Sequence, residues 1–456
     1  MREGSAKISQ PARSSVAGDE RIAATTPALQ PPAVVAQPEL GNLPAPPFEA
    51  PLTEEEAGTF GLRRLAGKHI VLYTDLPSSP TIDELPKVYD LAVPQWAKYF
   101  GVNAKRLEGW RQSAALMQNK ERFIRAGLLP RNMPPFLHGF QMGQRLWLYD
   151  QDSDYYRRHL LLHEGVHAFM NWQFQGCGPP WYMEGMAELL GTHRWTDGRL
   201  TVGYSPRSSE EAPLWGRVRI IRDDFQAGRA LTLNDVLRYG PRAHLNVEPY
   251  GWSWAAAVFF DRHPIYQSAF RGLWRQGATV GPAFNEAFLA KLSGEVGGEL
   301  GKAKLQWQVY VSDMQYGYDV ARNAIDFPVS RPLPPVGAQV EVQAERGWQS
   351  TALRLTAGRK YRIQASGRFQ IAKDTQPWMA EANGVTIRYH GDQPLGRLLA
   401  AVEDWKQPAQ PTSLIRPQSI GSDAILTAPK DGDLFLILND SPAERSDNQG
   451  TVTVRI

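Results

Sequence analysis

The span from His159 to Gly191, HLLLHEGVHAFMNWQFQGCGPPWYMEGMAELLG, restricts what this chain can fold into more than any other stretch. It reads as two helices with a forced break between them. Pro179 and Pro180 stop the first helix and can open the second, because proline is tolerated in a first turn. In the first helix His163 and His167 stand four residues apart, which stacks them on one face about 6 Å apart along the axis. Both imidazoles can then hold one zinc ion at about 2.0–2.1 Å. Glu164 sits one residue round, flanking such a metal without binding it, where a general base for a metal-activated water is needed. Glu184, one turn into the second helix, is the third ligand expected. Glu188 follows at i+4 as an acceptor that orients a ligand histidine through its other ring nitrogen. His159 shares the face but lies about 12 Å of helix axis from His167, so it supports or packs rather than ligates. The alternative is an ordinary amphipathic helix carrying His-Glu-x-x-His by composition, with Glu184 and Glu188 as a solvated face. The correct order of all these residues across a helix break argues against it.

H-E-x-x-H followed by W-x-x-E-G-x-A-E resembles the gluzincin metallopeptidases, and looks most like their peptidase-MA-like branch. The resemblance implies zinc held by His163, His167 and Glu184. Glu184 follows His167 by 17 residues, a residue or more short of the gap in the best-known members. A shorter loop between the helices would absorb that difference.

Elsewhere the chain is that of a soluble globular protein. Of its 456 residues 42% are apolar and 21% charged, and the formal charge is +3. The length allows two or three domains. There is no basic block, which leaves nucleic-acid binding without support. No apolar run reaches the roughly 18 residues that span a bilayer. Cys177 is the single cysteine, so no intrachain disulfide can form. No apolar leader follows Met1. Either the protein is cytoplasmic or the true start lies upstream. The second fits the C-terminal part better and gives an extracytoplasmic expectation: secreted, periplasmic or cell-surface.

Residues 1–57 are rich in Pro, Ala, Ser and Gln and read as a flexible tether. Residues 58–329 read as an α+β catalytic domain, a mixed sheet plus a mainly helical lobe. Strands are expected at 68–74 and 144–149, and helices at 82–100 (with a kink or early stop at Pro94), 119–126, 214–228, 233–239, 250–260 and 269–276. Ser153 or Asp154 should cap the motif helix. By the gluzincin resemblance, 144–149 is an edge strand that pairs with a peptide substrate. Val247-Glu248-Pro249-Tyr250-Gly251-Trp252-Ser253 resembles a V-P-Y-x-x-G region of one gluzincin subfamily. That makes the Tyr250 hydroxyl a stabiliser of the tetrahedral intermediate; the other reading of Tyr250 is an aromatic core residue at a helix start.

Residues 330–336 (SRPLPPV) form a stiff linker. Beyond them, 337–456 show short alternating strands of a β-sandwich, jelly-roll-like, expected at 339–343, 351–356, 360–364, 368–371, 433–438 and 451–456. YRIQASG at 361–367, LND at 438–440 and SDNQG at 446–450 resemble the small bacterial galactose-binding calcium lectins. Ca²⁺ takes about six to eight oxygens. The resemblance gives Asp440, Asp447 and Asn448 as side-chain ligands, with backbone carbonyls from Glu444 and Ile371. His390 and Gln393 repeat a sugar-contact spacing, although the loop after them is much shorter than in those lectins. The other reading of 440–450 is a polar hairpin loop.

Together these features predict a zinc-dependent peptide-bond hydrolase, acting on peptide or glycoprotein and held to glycans by a calcium-binding module. The alternative is a non-catalytic surface carbohydrate-binding protein on a metallopeptidase-like scaffold, but that reading would favour a substituted Glu164, and Glu164 is intact.

Overall fold

The computed structural model describes residues 45–298 and 300–456. Residues 1–44 of the expected tether lie outside them. Its remaining part is packed: Phe48 and Leu52 lie against the sheet, and Thr53 closes a capping box on the helix Glu54–Thr59. Ordered structure therefore begins before residue 57.

The first sheet has strands β1 (Arg63–Ala66), β2 (Ile70–Thr74), β3 (Gln112–Met117), β4 (Gly139–Met142) and β5 (Arg145–Tyr149), in the order β1-β2-β3-β5-β4. β2, β3 and β5 run parallel, while β1 and β4 are antiparallel edges. Strands covered on both faces lose the polar alternation that marks a half-exposed strand. β2 and β3 are buried at every position, and β3, with the sequence QSAALM, carries too few branched residues to be legible. One face is covered by helices Leu85–Phe100 and Asp154–Phe174, the other by a cluster around Phe123 and Trp147. The strand at 144–149 is present but interior. The edge is β4 (Gly139–Met142), so 144–149 is not the expected edge strand.

Pro94 does not stop its helix, which runs unbroken from Leu85 to Phe100 and ends on left-handed Gly101. A proline removes one backbone donor, and the burial of Val93, Trp96 and Ala97 around it outweighs that loss. Helices Arg217–Gln226, Glu248–Arg262, Pro282–Glu295 and Gly301–Ser312 build the helical lobe.

In the C-terminal region two sheets face each other. One runs Asn383–His390, Gln393–Glu403, Gly432–Leu438, Gln349–Leu355, Arg331–Pro332. The other runs Asp423–Thr427, Lys360–Ser366, Thr451–Arg455, Gln339–Gln343. Leu398, Ala400, Leu434 and Leu436 from the first meet Ile363, Leu426, Val452 and Val454 from the second. The alternate residues Leu399, Ala401, Phe435 and Ile437 point the other way, onto Leu305 and Val309 of helix Gly301–Ser312. Two strands buried on both faces thus join the sandwich to the helical lobe. The expected linker takes part as well, since Arg331–Pro332 pairs parallel with Gln349–Leu355.

Candidate metal centre

Ser153 caps the motif helix, its hydroxyl accepting from the Tyr156 N–H at 3.2 Å. The helix ends at Gln175, which is left-handed, and Pro180 opens the helix Pro180–Gly191. Small residues let these helices close on their neighbours. A Cβ at Gly165 would lie 2.6 Å from the Tyr89 ring, and one at Gly185 2.8 Å from the Ser253 carbonyl.

This packing brings His163, His167 and Glu184 together, all buried. His163 Nε2 lies 3.1 Å from His167 Nε2, and Glu184 Oε2 lies 3.2 Å from the first and 3.4 Å from the second. Zinc bonds of about 2.0–2.1 Å in a tetrahedron put ligand atoms about 3.3–3.4 Å apart. Glu184 Oε2 is buried without a hydrogen bond, a costly state for a carboxylate unless a cation completes it. The donor set therefore fits such an ion. Burial pushes the Glu184 carboxyl up, but the two imidazoles outweigh it and hold it down at about 2.

A second grouping, His159, His163 and Glu188, is also close enough to hold an ion. There the carboxylate is already matched. Arg217 donates to Glu188 Oε1 at 2.8 Å and to Oε2 at 3.0 Å, and the Trp215 indole N–H donates to Oε2 at 3.2 Å. Burial raises the Glu188 carboxyl, yet Arg217 holds it well below the ordinary range. Glu188 Oε1 stands 3.3 Å from His163 Nδ1 and 3.3 Å from His159 Nε2. It lies on the Nδ1 side of His163, while Nε2 of that ring faces His167 and Glu184, and His159 stands beside it. Arg217 and Trp215 carried no signal in the sequence: they come from the start of the helix Arg217–Gln226 and the loop before it, and matter only through the fold.

Glu164 faces the same cleft, which has a volume of about 1490 Å³. Burial raises its carboxyl above the ordinary value, the direction a base working near neutral pH requires. It lies against β4: a Cβ on Gly139 would come 2.5 Å from Glu164 Oε1. Tyr250 also lines the cleft. Its ring centroid is 5.7 Å from that of His163, and the Arg217 guanidinium lies 5.6 Å from the tyrosine ring.

The C-terminal residues gather differently. Asp440 accepts from the Ser441 N–H and from Asn448 Nδ2, each at 2.7 Å. Asp447 Oδ2 accepts from the Lys373 N–H at 2.9 Å. Asp447 Oδ1 and Asn448 Oδ1 are buried without partners, so the loop has room in its hydrogen bonding for a cation. Ile371 is buried in the strand Phe369–Lys373, and the Glu444 side chain pairs with Arg388 at 2.8 Å. His390 and Gln393 face each other across a two-residue hairpin turn. Asn439 Nδ2 donates to both of their carbonyls, at 2.9 and 3.0 Å. The same loop touches the helical lobe: Gln315 Nε2 donates to Ser441 Oγ at 2.8 Å, and Arg445 Nε to Asn323 Oδ1 at 3.1 Å.

Among the described residues no helix is long and apolar enough to cross a membrane. No protein-family model matches the chain, and no curated protein matches it. Solved structures that match include one described as "EclA N-terminal domain; PllA-like lectin", 20% identical, covering 26% of this chain and 92% of that chain, with a TM-score of 0.20. This is a weak and partial likeness, and none of these comparisons points to a gluzincin.

Proposed function

We propose that this protein is a zinc-dependent hydrolase of peptide bonds, with His163, His167 and Glu184 as the metal ligands. The observation that carries the reading is three buried ligand atoms 3.1–3.4 Å apart beside a further buried acid, Glu164, that takes no part in the triangle. Zinc, when bound, supplies a Lewis acid for the attacking water and the scissile carbonyl. Glu164 takes the proton of the attacking water and passes it to the leaving amine, so that water and peptide become a carboxylic acid and an amine. The Tyr250 hydroxyl donates to the carbonyl oxygen as negative charge grows there. Glu188, held by Arg217, keeps His163 oriented. The edge of β4 offers backbone N–H and C=O groups to an extended substrate.

For the C-terminal sandwich we propose a calcium loop built on Asp440, Asp447 and Asn448, and a glycan contact at His390 and Gln393. The module would hold the enzyme on glycoproteins outside the cytoplasm by raising the effective concentration of substrate. Metal analysis with a broad peptide-library digest, on wild type and Glu164→Gln, tests the hydrolase. Zinc retained with cleavage abolished supports it. No cleavage by either protein, with sugar binding intact, favours the non-catalytic carbohydrate-binding alternative.

A further inference from the structure

Of the seven large apolar side chains left exposed among the described residues of 45–329, five collect around one opening, Met142 and Val329 being the exceptions. Leu137 is 51% exposed, Leu214 64%, Leu245 48%, Val247 46% and Val280 72%. All five stand at the cleft that contains His163, Glu164 and His167 or at the recess that continues it. Single exposed leucines are ordinary, but a convergent set marks a binding surface. These residues come from four separate loops, those leading into β4 and into the helices Arg217–Gln226, Glu248–Arg262 and Pro282–Glu295. No single amphipathic element accounts for them. Leu214 holds a left-handed φ of 66°, a conformation that a branched side chain rarely adopts. Below this rim the wall stays apolar, with Leu233, Leu237 and Leu292 lining the cleft.

One side of the same cleft is β4, whose outer edge has no strand partner among the described residues. An unpaired edge asks for an occupant with its own backbone to pair. An apolar rim asks for large apolar side chains along that backbone. We infer that the cleft selects extended polypeptide segments carrying several large apolar side chains, as an unfolded or unassembled chain exposes them, over polar ones. The inference deepens the hydrolase reading and rests on it only for the fate of the bound segment.

The test uses full-length Glu164→Gln protein and two fluorescein-labelled decapeptides of equal charge. One alternates Leu, Phe and Val with polar residues; the other has Ser and Gln in their place. The apolar peptide is expected to bind at least about tenfold tighter. Leu137→Ser combined with Val280→Ser should erase most of that preference without shifting the unfolding temperature, because both side chains are exposed. Equal binding of the two peptides overturns the inference, as does equal cleavage of both by wild type. Tight apolar binding with no cleavage by wild type supports the inference and removes the hydrolase reading instead. Flotation with phosphatidylglycerol vesicles covers the remaining case: vesicle binding through Leu137 and Val280 without a peptide preference overturns it in favour of a membrane-facing rim.

Discussion

The two acid-bearing clusters of this molecule differ in how far they satisfy themselves. At 163–188 the ligand atoms of His163, His167 and Glu184 face one another and Glu184 Oε2 has no hydrogen bond, while the acid behind them, Glu188, is fully matched by Arg217 and Trp215. At 440–448 both oxygens of Asp440 already accept N–H donors of the chain, and only Asp447 Oδ1 and Asn448 Oδ1 are left over. A buried cluster that answers its own polar groups is first a folding element. One that leaves a buried carboxylate oxygen facing two imidazole nitrogens has room for a cation. The contrast ranks the sites: the first leaves a carboxylate oxygen for the proposed metal, and the second can hold its shape without one.

The largest effect should come from Glu164→Gln, which keeps the ligand triangle and removes the base. Peptide turnover is expected to fall about 10²–10⁴-fold at unchanged zinc content by elemental analysis. Unchanged turnover would break the functional half of the comparison.

Arg217→Ala should come next. It leaves Glu188 as an uncompensated buried charge and is expected to destabilise by about 3–5 kcal/mol in urea unfolding, with zinc affinity lowered about 10–100-fold. A loss below about 1 kcal/mol would mean that the acid behind the ligands is not as closed as its geometry says.

Gly139→Ala sharpens the placement of the base. The new Cβ meets a flexible carboxylate tip rather than backbone, so folding should survive. Turnover should drop about 10–100-fold as Glu164 is displaced, read as kcat at a constant unfolding temperature.

On the C-terminal side the expected effects are smaller. Millimolar Ca²⁺ should raise the unfolding midpoint by a few degrees, equivalent to about 1 kcal/mol, and Asp440→Asn should abolish that response in a thermal scan. If calcium instead proves essential for folding, the two clusters are alike and the contrast fails.

The smallest expected effect is one of pH. Burial pushes the Glu403 carboxyl up, but Lys430, with the Ser413 and Thr412 donors, outweighs it and holds the folded value below 4.5. A depressed carboxyl contributes stability that is complete above its unfolded value and is lost as pH falls through its folded one. The decline in the midpoint below pH 4.5 should therefore flatten in Glu403→Gln.

The convergence of side chains at the centre was legible because helical geometry is local. Spacing alone stacks His163 on His167, sets Glu164 beside them, and puts Glu188 one turn beyond Glu184. The cap at Ser153, the break at Pro179 and Pro180, and the sandwich strands at 339–371 and 432–455 were legible for the same reason. Strands such as β3 were not, because burial on both faces erases alternation. Nor were the helices Pro282–Glu295 and Gly301–Ser312, or the middle strands of the sandwich between 377 and 427. Strand order is non-local too, and it moved the free edge from 144–149 to Gly139–Met142.

By itself, then, the sequence determined which residues could meet along one helix and across one short break, since backbone periodicity leaves no other arrangement. Only the tertiary structure decided that Arg217 and Trp215 close over Glu188, that five exposed apolar side chains ring a single cleft, and that the 440–448 loop abuts the helical lobe. Those contacts join segments far apart in the chain, and they exist because burying apolar surface draws the segments together, not because any local pattern encodes their meeting.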